Sequence, residues 1–133
     1  MKFVDTNIFI RFLTDDLPRK ADDCEKLFRK AIDKKESLYT TELVIAEIIW
    51  VLESYYELTK EDVKEKVEKI LNTPNLSCPG KDMILEALNL YTEKNIDYID
   101  AYNAQVMRRN GIEEVFSYDK HYERIPWVKR IEP

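Results

Sequence analysis

The chain has 133 residues, 44% hydrophobic and 35% charged, with 21 basic against 26 acidic side chains and a net charge of −5. That length suits one domain with its own core, expected over residues 1–133, and two glycines with five prolines exclude collagen-like, linker-rich and low-complexity classes. The acidic balance, with a pI near 5.0, excludes a protein that finds nucleic acid through a long-range positive field; such a ligand has to be met by local cations or through metal ions. Cys24 and Cys78 form no CxxC pair, which argues against zinc ribbons and disulfide scaffolds and suits a reducing compartment. No apolar stretch reaches the roughly 20 residues of a membrane span, and Asp5 comes too early for a signal peptide. The expectation is a soluble, cytoplasmic protein without a membrane partner.

Phe3-Val4 reads as a short buried strand ending at Asp5, after which Thr6 or Asn7 caps a helix carrying Ile8, Phe9, Ile10, Phe12 and Leu13. A second helix is expected from about Ala21 to Lys34, with Cys24, Leu27, Phe28, Ala31 and Ile32 at helical spacing. Leu38-Tyr39 reads as a strand, and Thr40 or Thr41 opens the most apolar helix, from Glu42 to about Tyr55. Thr59 and Asp62 signal another helix start, with Val63, Val67, Ile70 and Leu71 inside. A strand at Leu76-Ser77-Cys78 and a Pro79-Gly80 turn precede helices from Lys81 to Lys94 and from about Tyr98 to a stop at Asn110-Gly111. Val115-Phe116-Ser117 and Val128–Ile131 are the last strands. Strands alternating with helices indicate an α/β protein with a parallel sheet.

Several acidic residues stand where packing does not ask for them. Glu47 is the one charge between Leu43 and Leu52, and its helical neighbours Leu43, Val44, Trp50 and Val51 include no cation. A carboxylate on a helix apolar around nearly its whole circumference is costly unless it faces a polar cleft; the plainer alternative is a rim position with its head in water. Asp5 and Asp119 stand at or just past the carboxyl ends of apolar strands, where open α/β sheets bind their ligands, although each would also serve as a turn or cap residue. Asp97 and Asp100 lie three apart at a helix start; with Asp97 as cap, Asp100 is free to face the cleft and Asp97 becomes a supporting residue. Four carboxylates in one cleft cannot all stay ionised without a cation, and hard oxygen ligands suit Mg²⁺ or Mn²⁺. The matching chemistry is metal-assisted phosphodiester hydrolysis.

Val4-Asp5-Thr6-Asn7-Ile8 resembles the opening motif of the PIN-domain family, most closely its VapC-type toxin ribonucleases. In that family the first Asp is catalytic and the following Thr and Asn support it, which the resemblance places on Asp5, Thr6 and Asn7. Glu47 in Ala46-Glu47-Ile48 is similar to the second acid, Asp100 before Ala101 to the third, and Asp119 to the fourth, which usually follows a Ser or Thr such as Ser117. Tyr118 departs from the usual Phe or Asn. The resemblance implies a three-layer α/β/α sandwich around a central parallel sheet and Mg²⁺- or Mn²⁺-dependent endoribonuclease activity. It also implies a homodimer and an antitoxin protein whose basic or aromatic side chain plugs the acidic site. Arg11, one turn beyond Asn7, is in reach of a substrate phosphate; His121 reads as an ordinary loop residue, and Arg108-Arg109 as cations complementing a helix dipole. Phe9, Phe12, Trp50, Tyr55 and Tyr56 are assigned to core or dimer interface. The competing readings are an inactive PIN-like RNA- or protein-binding module and a different phosphoryl-transfer domain. A haloacid-dehalogenase-like phosphatase needs an Asp where Asn7 stands, and a receiver domain needs a strand-end Lys that is missing.

Overall fold

β1 (Lys2–Phe3), β2 (Leu38–Tyr39) and β3 (Leu76–Ser77) form a parallel ladder with β2 in the centre, in register Lys2↔Leu38↔Leu76 and Phe3↔Tyr39↔Ser77. The structure is a computed structural model that describes residues 1–133, and it divides into two compact units, Met1–Lys81 and Asp82–Pro133. The strands are shorter than their apolar patterns suggest, but the ladder's backbone bonding continues past them: Val4 donates to the Tyr39 carbonyl at 2.8 Å and Thr40 to the Ser77 carbonyl at 2.9 Å. The buried Thr40 hydroxyl adds a bond to the Val4 carbonyl at 3.0 Å. The carboxyl ends of β1 and β2 are thereby tied together, and Asp5 emerges at that edge.

The first unit also holds α1 (Thr6–Leu13), α2 (Pro18–Ile32), α3 (Glu42–Ser54) and α4 (Lys60–Leu71), with α1 packed on α2 and α3, and α3 on α4. The cap of α1 is Asp5 itself, whose carboxylate accepts from the Thr6 amide at 2.8 Å, and not Thr6 or Asn7. α2 starts three residues earlier than its apolar pattern, because Pro18 supplies a preset φ at a position whose amide needs no partner. It stops short of Lys34, which takes a left-handed φ of 61°. Of Thr40 and Thr41 it is Thr41 that caps α3, and Thr59 caps α4 as the sequence indicates.

Phe9 belongs to the core of this unit, and the half-buried Phe12 packs on the same neighbour. Phe9 is 0% exposed. It stacks on Phe28 at 5.4 Å between ring centroids, and Phe12 meets the same ring at 4.6 Å. Phe9→Ala should therefore cost about 3–5 kcal/mol of folding stability, the range for a large aromatic truncated in a core. Urea titration checks this through a lowered midpoint at unchanged slope.

The second unit contains most of α5 (Lys81–Glu93), together with α6 (Tyr98–Arg109), β4 (Glu114–Phe116), a 3-10 turn (Lys120–Arg124) and β5 (Lys129–Ile131). α5 ends before Lys94 ahead of Asn95, at φ 49°. α6 stops at Asn110 with Gly111 at φ 66°, a left-handed position that glycine takes without a side-chain clash. β4 and β5 pair in parallel with Val115 opposite Arg130, so the strands form two ladders, of three and two strands, where one central sheet was expected. The 3-10 turn has no counterpart in the sequence reading; Asp119 caps it. No helix is long and apolar enough to cross a membrane.

Candidate active site

In the first unit, Asp5, Thr6, Asn7, Arg11 and Glu47 line one hollow of about 360 Å³. Asp5 is brought there by the strand end and held by its capping bond, and Glu47 projects from the exposed side of α3. Glu47 makes no hydrogen bond or ion pair, but it is not a charge stranded on a buried helix. Leu43 and Trp50, four and three residues away, are 78% and 67% exposed, so α3 carries an outward stripe that leaves the Glu47 head in water. The physical premise drawn from the apolar run, that α3 is buried almost all round, fails.

Two further features shape this hollow. The Thr6 hydroxyl is buried and has no hydrogen-bond partner, which is uncommon enough to call for a water or ligand. Arg11 is engaged by Asp16, its Nη1 donating to both carboxylate oxygens at 3.1 and 3.2 Å. Asp16 also accepts from the Tyr56 hydroxyl at 2.7 Å and from Thr14 at 3.0 Å. The Tyr56 bond, with those of Thr14 and Arg11, holds Asp16 below the usual carboxylate range against some desolvation. A phosphate reaching Arg11 has to compete with Asp16.

In the second unit Asp100 and Asp119 meet. Partial burial first, then a hydrogen bond and charge repulsion from Asp119, push the half-buried Asp100 up to about 6; the Tyr122 hydroxyl opposes the shift and the Asp97 charge adds to it. Asp119 moves the other way. It accepts from the His121 amide at 2.9 Å and faces His121 Nδ1 at 2.7 Å, and these bonds together with one from Asp100 lower it. Ser117 supports the loop by accepting from the Asp119 amide at 3.0 Å, and Asn103 donates to Tyr122 at 3.5 Å. Asp97 occupies the cap position of α6 without a side-chain capping bond. Its part at Asp100 is electrostatic.

His121, Tyr122 and Asn103 are the neighbours that sequence reasoning missed. His121 and Tyr122 follow Asp119 at two and three residues, a spacing that a tight 3-10 turn folds back onto its own cap; Asn103 follows Asp100 by three, a helical neighbour. In neither unit do three or more His, Cys, Asp or Glu side chains gather into a metal-holding group.

The paired acids give the free protein a pH signature. Asp100 binds its proton more tightly when folded than unfolded, so the stability this adds is complete below about 4, the unfolded pKa. It is lost as pH rises through the folded value of about 6. Asp119 has the opposite sign, and its contribution is lost below the ordinary Asp range as pH falls. In EDTA, Asp100→Asn should therefore melt increasingly above wild type from pH 4.5 to 7. Parallel melting-temperature curves for the two proteins would contradict the shared proton.

Parallel strands with helical connections, and acidic residues at strand ends and a helix start, define an α/β protein. A model of the PIN domain matches residues 2–128, running through both units. The chain belongs to the PIN domain family. It is 31% identical over 125 residues to a VapC ribonuclease of Aquifex aeolicus (strain VF5), a match covering 94% of this chain and 92% of that protein. It is also similar to the crystal structure of Mycobacterium tuberculosis VapC20, described as a Sarcin-Ricin loop cleaving toxin. That match covers 100% of both chains at 18% identity with a TM-score of 0.43.

Proposed function

We propose that this chain is an endoribonuclease that hydrolyses RNA phosphodiesters with Mg²⁺ or Mn²⁺, acting in the cytoplasm as the toxin of a toxin–antitoxin pair. Asp5, Glu47, Asp100 and Asp119 are its catalytic acids within one catalytic domain, with Thr6, Asn7, Asp97 and Ser117 in support. The observation that carries the reading is the Asp100–Asp119 pair, two carboxylates close enough to share a proton. Such a pair holds a divalent cation in place of the proton once both groups ionise. Family membership and the VapC ribonuclease relative supply the substrate class.

The donor set fits the ion. Every candidate ligand is a carboxylate oxygen, the choice of Mg²⁺ and Mn²⁺ over zinc, and the partnerless Thr6 hydroxyl beside Asp5 leaves room for a bound water. Asp5, Asp100, Asp119 and Glu47 would hold the metal, which when bound supplies a water of lowered pKa and a polarised phosphoryl oxygen. The chain's own groups do the rest. His121 fixes the Asp119 carboxylate through its amide and ring, Tyr122 orients Asp100, and Ser117 fixes the approach to Asp119. Arg11 exchanges Asp16 for a substrate phosphate.

The exposed Leu43, Trp50 and Tyr55 support self-association as a homodimer, which light scattering at micromolar concentration tests. The acidic site supports inhibition by an antitoxin presenting Arg or Lys, with association slowing as salt rises. The deciding experiment is RNA cleavage by the purified, antitoxin-free chain in Mg²⁺, Mn²⁺ or EDTA. Cleavage that EDTA abolishes and either ion restores is expected; cleavage unaffected by EDTA would refute the metal-dependent reading.

A further inference from the structure

A second concavity lies within the second unit, away from the Asp100 end of α6. It has a volume of about 550 Å³, the size of a small-molecule site, and lies between α5, the last turns of α6 and Pro126-Trp127. Its lining includes Gln105, 6% exposed, whose carboxamide forms no hydrogen bond with the rest of the protein. Its polar atoms are not sealed in the core but open to the concavity, so two donors and an acceptor in one plane are available to whatever occupies it. Beside it, the Arg108 guanidinium lies over the Trp127 ring at 4.5 Å to the centroid, and the indole is fixed by its Nε1–H donating to the Ala104 carbonyl at 3.1 Å. This makes a flat cationic platform next to a free in-plane donor and acceptor.

The charges select the ligand further. Lys94 lines the concavity without an ion-pair partner, and Arg109 meets Glu86 at 3.3 Å on an exposed edge; Glu93 is the other acid. Three cations against two carboxylates favour an anion at the rim. A planar ring that stacks on guanidinium or indole, carries an adjacent donor and acceptor for a carboxamide, and bears a phosphate is a purine nucleotide, adenine being the base that Gln matches in two bonds. We propose that this cleft binds a purine nucleoside monophosphate unit, with Gln105 reading the base edge, Arg108 and Trp127 stacking it, and Lys94 and Arg109 meeting the phosphate. Asp100 and Gln105 share α6 five residues apart, about 7.5 Å along the axis. They point about 140° apart around it, so a nucleotide of an RNA held at the acidic pair reaches the cleft only by passing round the helix. That source rests on the ribonuclease reading; a free nucleotide does not.

The test uses the full chain carrying Trp50→Phe, which leaves Trp127 as the sole tryptophan, titrated with AMP, inorganic phosphate, or a cleavage-resistant 2′-O-methyl oligoadenylate. Saturable quenching by AMP and by the oligonucleotide is expected, with none from phosphate. Gln105→Leu and Arg108→Ala should each weaken AMP binding at least tenfold while circular dichroism and melting show a folded chain. If the nucleotide belongs to the RNA, both variants raise KM for an adenine-containing RNA about tenfold at unchanged kcat. AMP binding with unaltered KM supports the cleft as a free-nucleotide site. AMP binding in a chain that cleaves no RNA keeps the cleft and rejects the ribonuclease reading. No quenching by AMP or the oligonucleotide, equal quenching by phosphate, or wild-type binding by Gln105→Leu overturns the proposal.

Discussion

Asp5→Asn should reduce RNA cleavage by about a hundredfold to a thousandfold, the scale of losing a transition-state charge interaction, while leaving the melting temperature close to wild type. Asp5 has two roles that the substitution separates. As cap of α1 its side chain accepts from the Thr6 amide at 2.8 Å, and Asn caps a helix about as well as Asp. As a candidate metal ligand it contributes negative charge beside the partnerless Thr6 hydroxyl and Glu47, and a carboxamide oxygen holds a divalent cation far less strongly. Asp5→Ala should lose both, adding about 1 kcal/mol of destabilisation from the missing cap. Cleavage and thermal melts on the two variants decide it. Full activity with Asn at position 5 would show that Asp5 has no catalytic role, and unfolding of Asp5→Asn would show that its charge is structural.

That dual role was half legible in the sequence. The apolar pair before Asp5 marks a strand end, and the run after it marks a helix, but which of Asp5, Thr6 and Asn7 caps depends on where the strand releases the chain. The Thr40 hydroxyl on the Val4 carbonyl sets that point, and no local pattern encodes a bond 36 residues away. Thr59 is readable as a cap because it precedes its helix with the acceptor in place, whereas the choice between Thr40 and Thr41 is settled only by the bond that engages Thr40 at Val4. Glu47 shows the opposite failure. An apolar helix gives little amphipathic signal, so the sequence could not reveal that Leu43 and Trp50 are left outside. The choice of Glu47 therefore rests on the family's motif order and on its place in the Asp5 hollow, not on the cost of burial. His121 and Asp119 are two residues apart, yet a loop spacing of two implies contact only when the chain tightens into a 3-10 turn.

Asp119→Asn should remove both cleavage and the stabilisation that Mg²⁺ confers. In wild type, a ligand that binds only the folded state adds about 2.7 kcal/mol at a hundred times its Kd, so the melting temperature should rise with Mg²⁺ and return in EDTA. Asn at 119 keeps an acceptor for the His121 amide and its own amide bond to Ser117, so the 3-10 turn persists. What it removes is the charge that repels ionised Asp100 and the anionic acceptor for that group's proton. Asp100 should then titrate below its present value of about 6, though still above an ordinary aspartate, because desolvation is the largest cause of its shift and remains. Carboxyl NMR titration of Asp100 in both proteins measures this directly, and an unmoved value would show that Asp119 is not what raises it. Three results are expected together: lower proton affinity at Asp100, loss of the Mg²⁺-dependent rise in melting temperature, and loss of cleavage. An Asp119→Asn variant that keeps the full Mg²⁺ response would place the cation elsewhere in the chain and reduce the Asp100–Asp119 contact to a structural proton bridge.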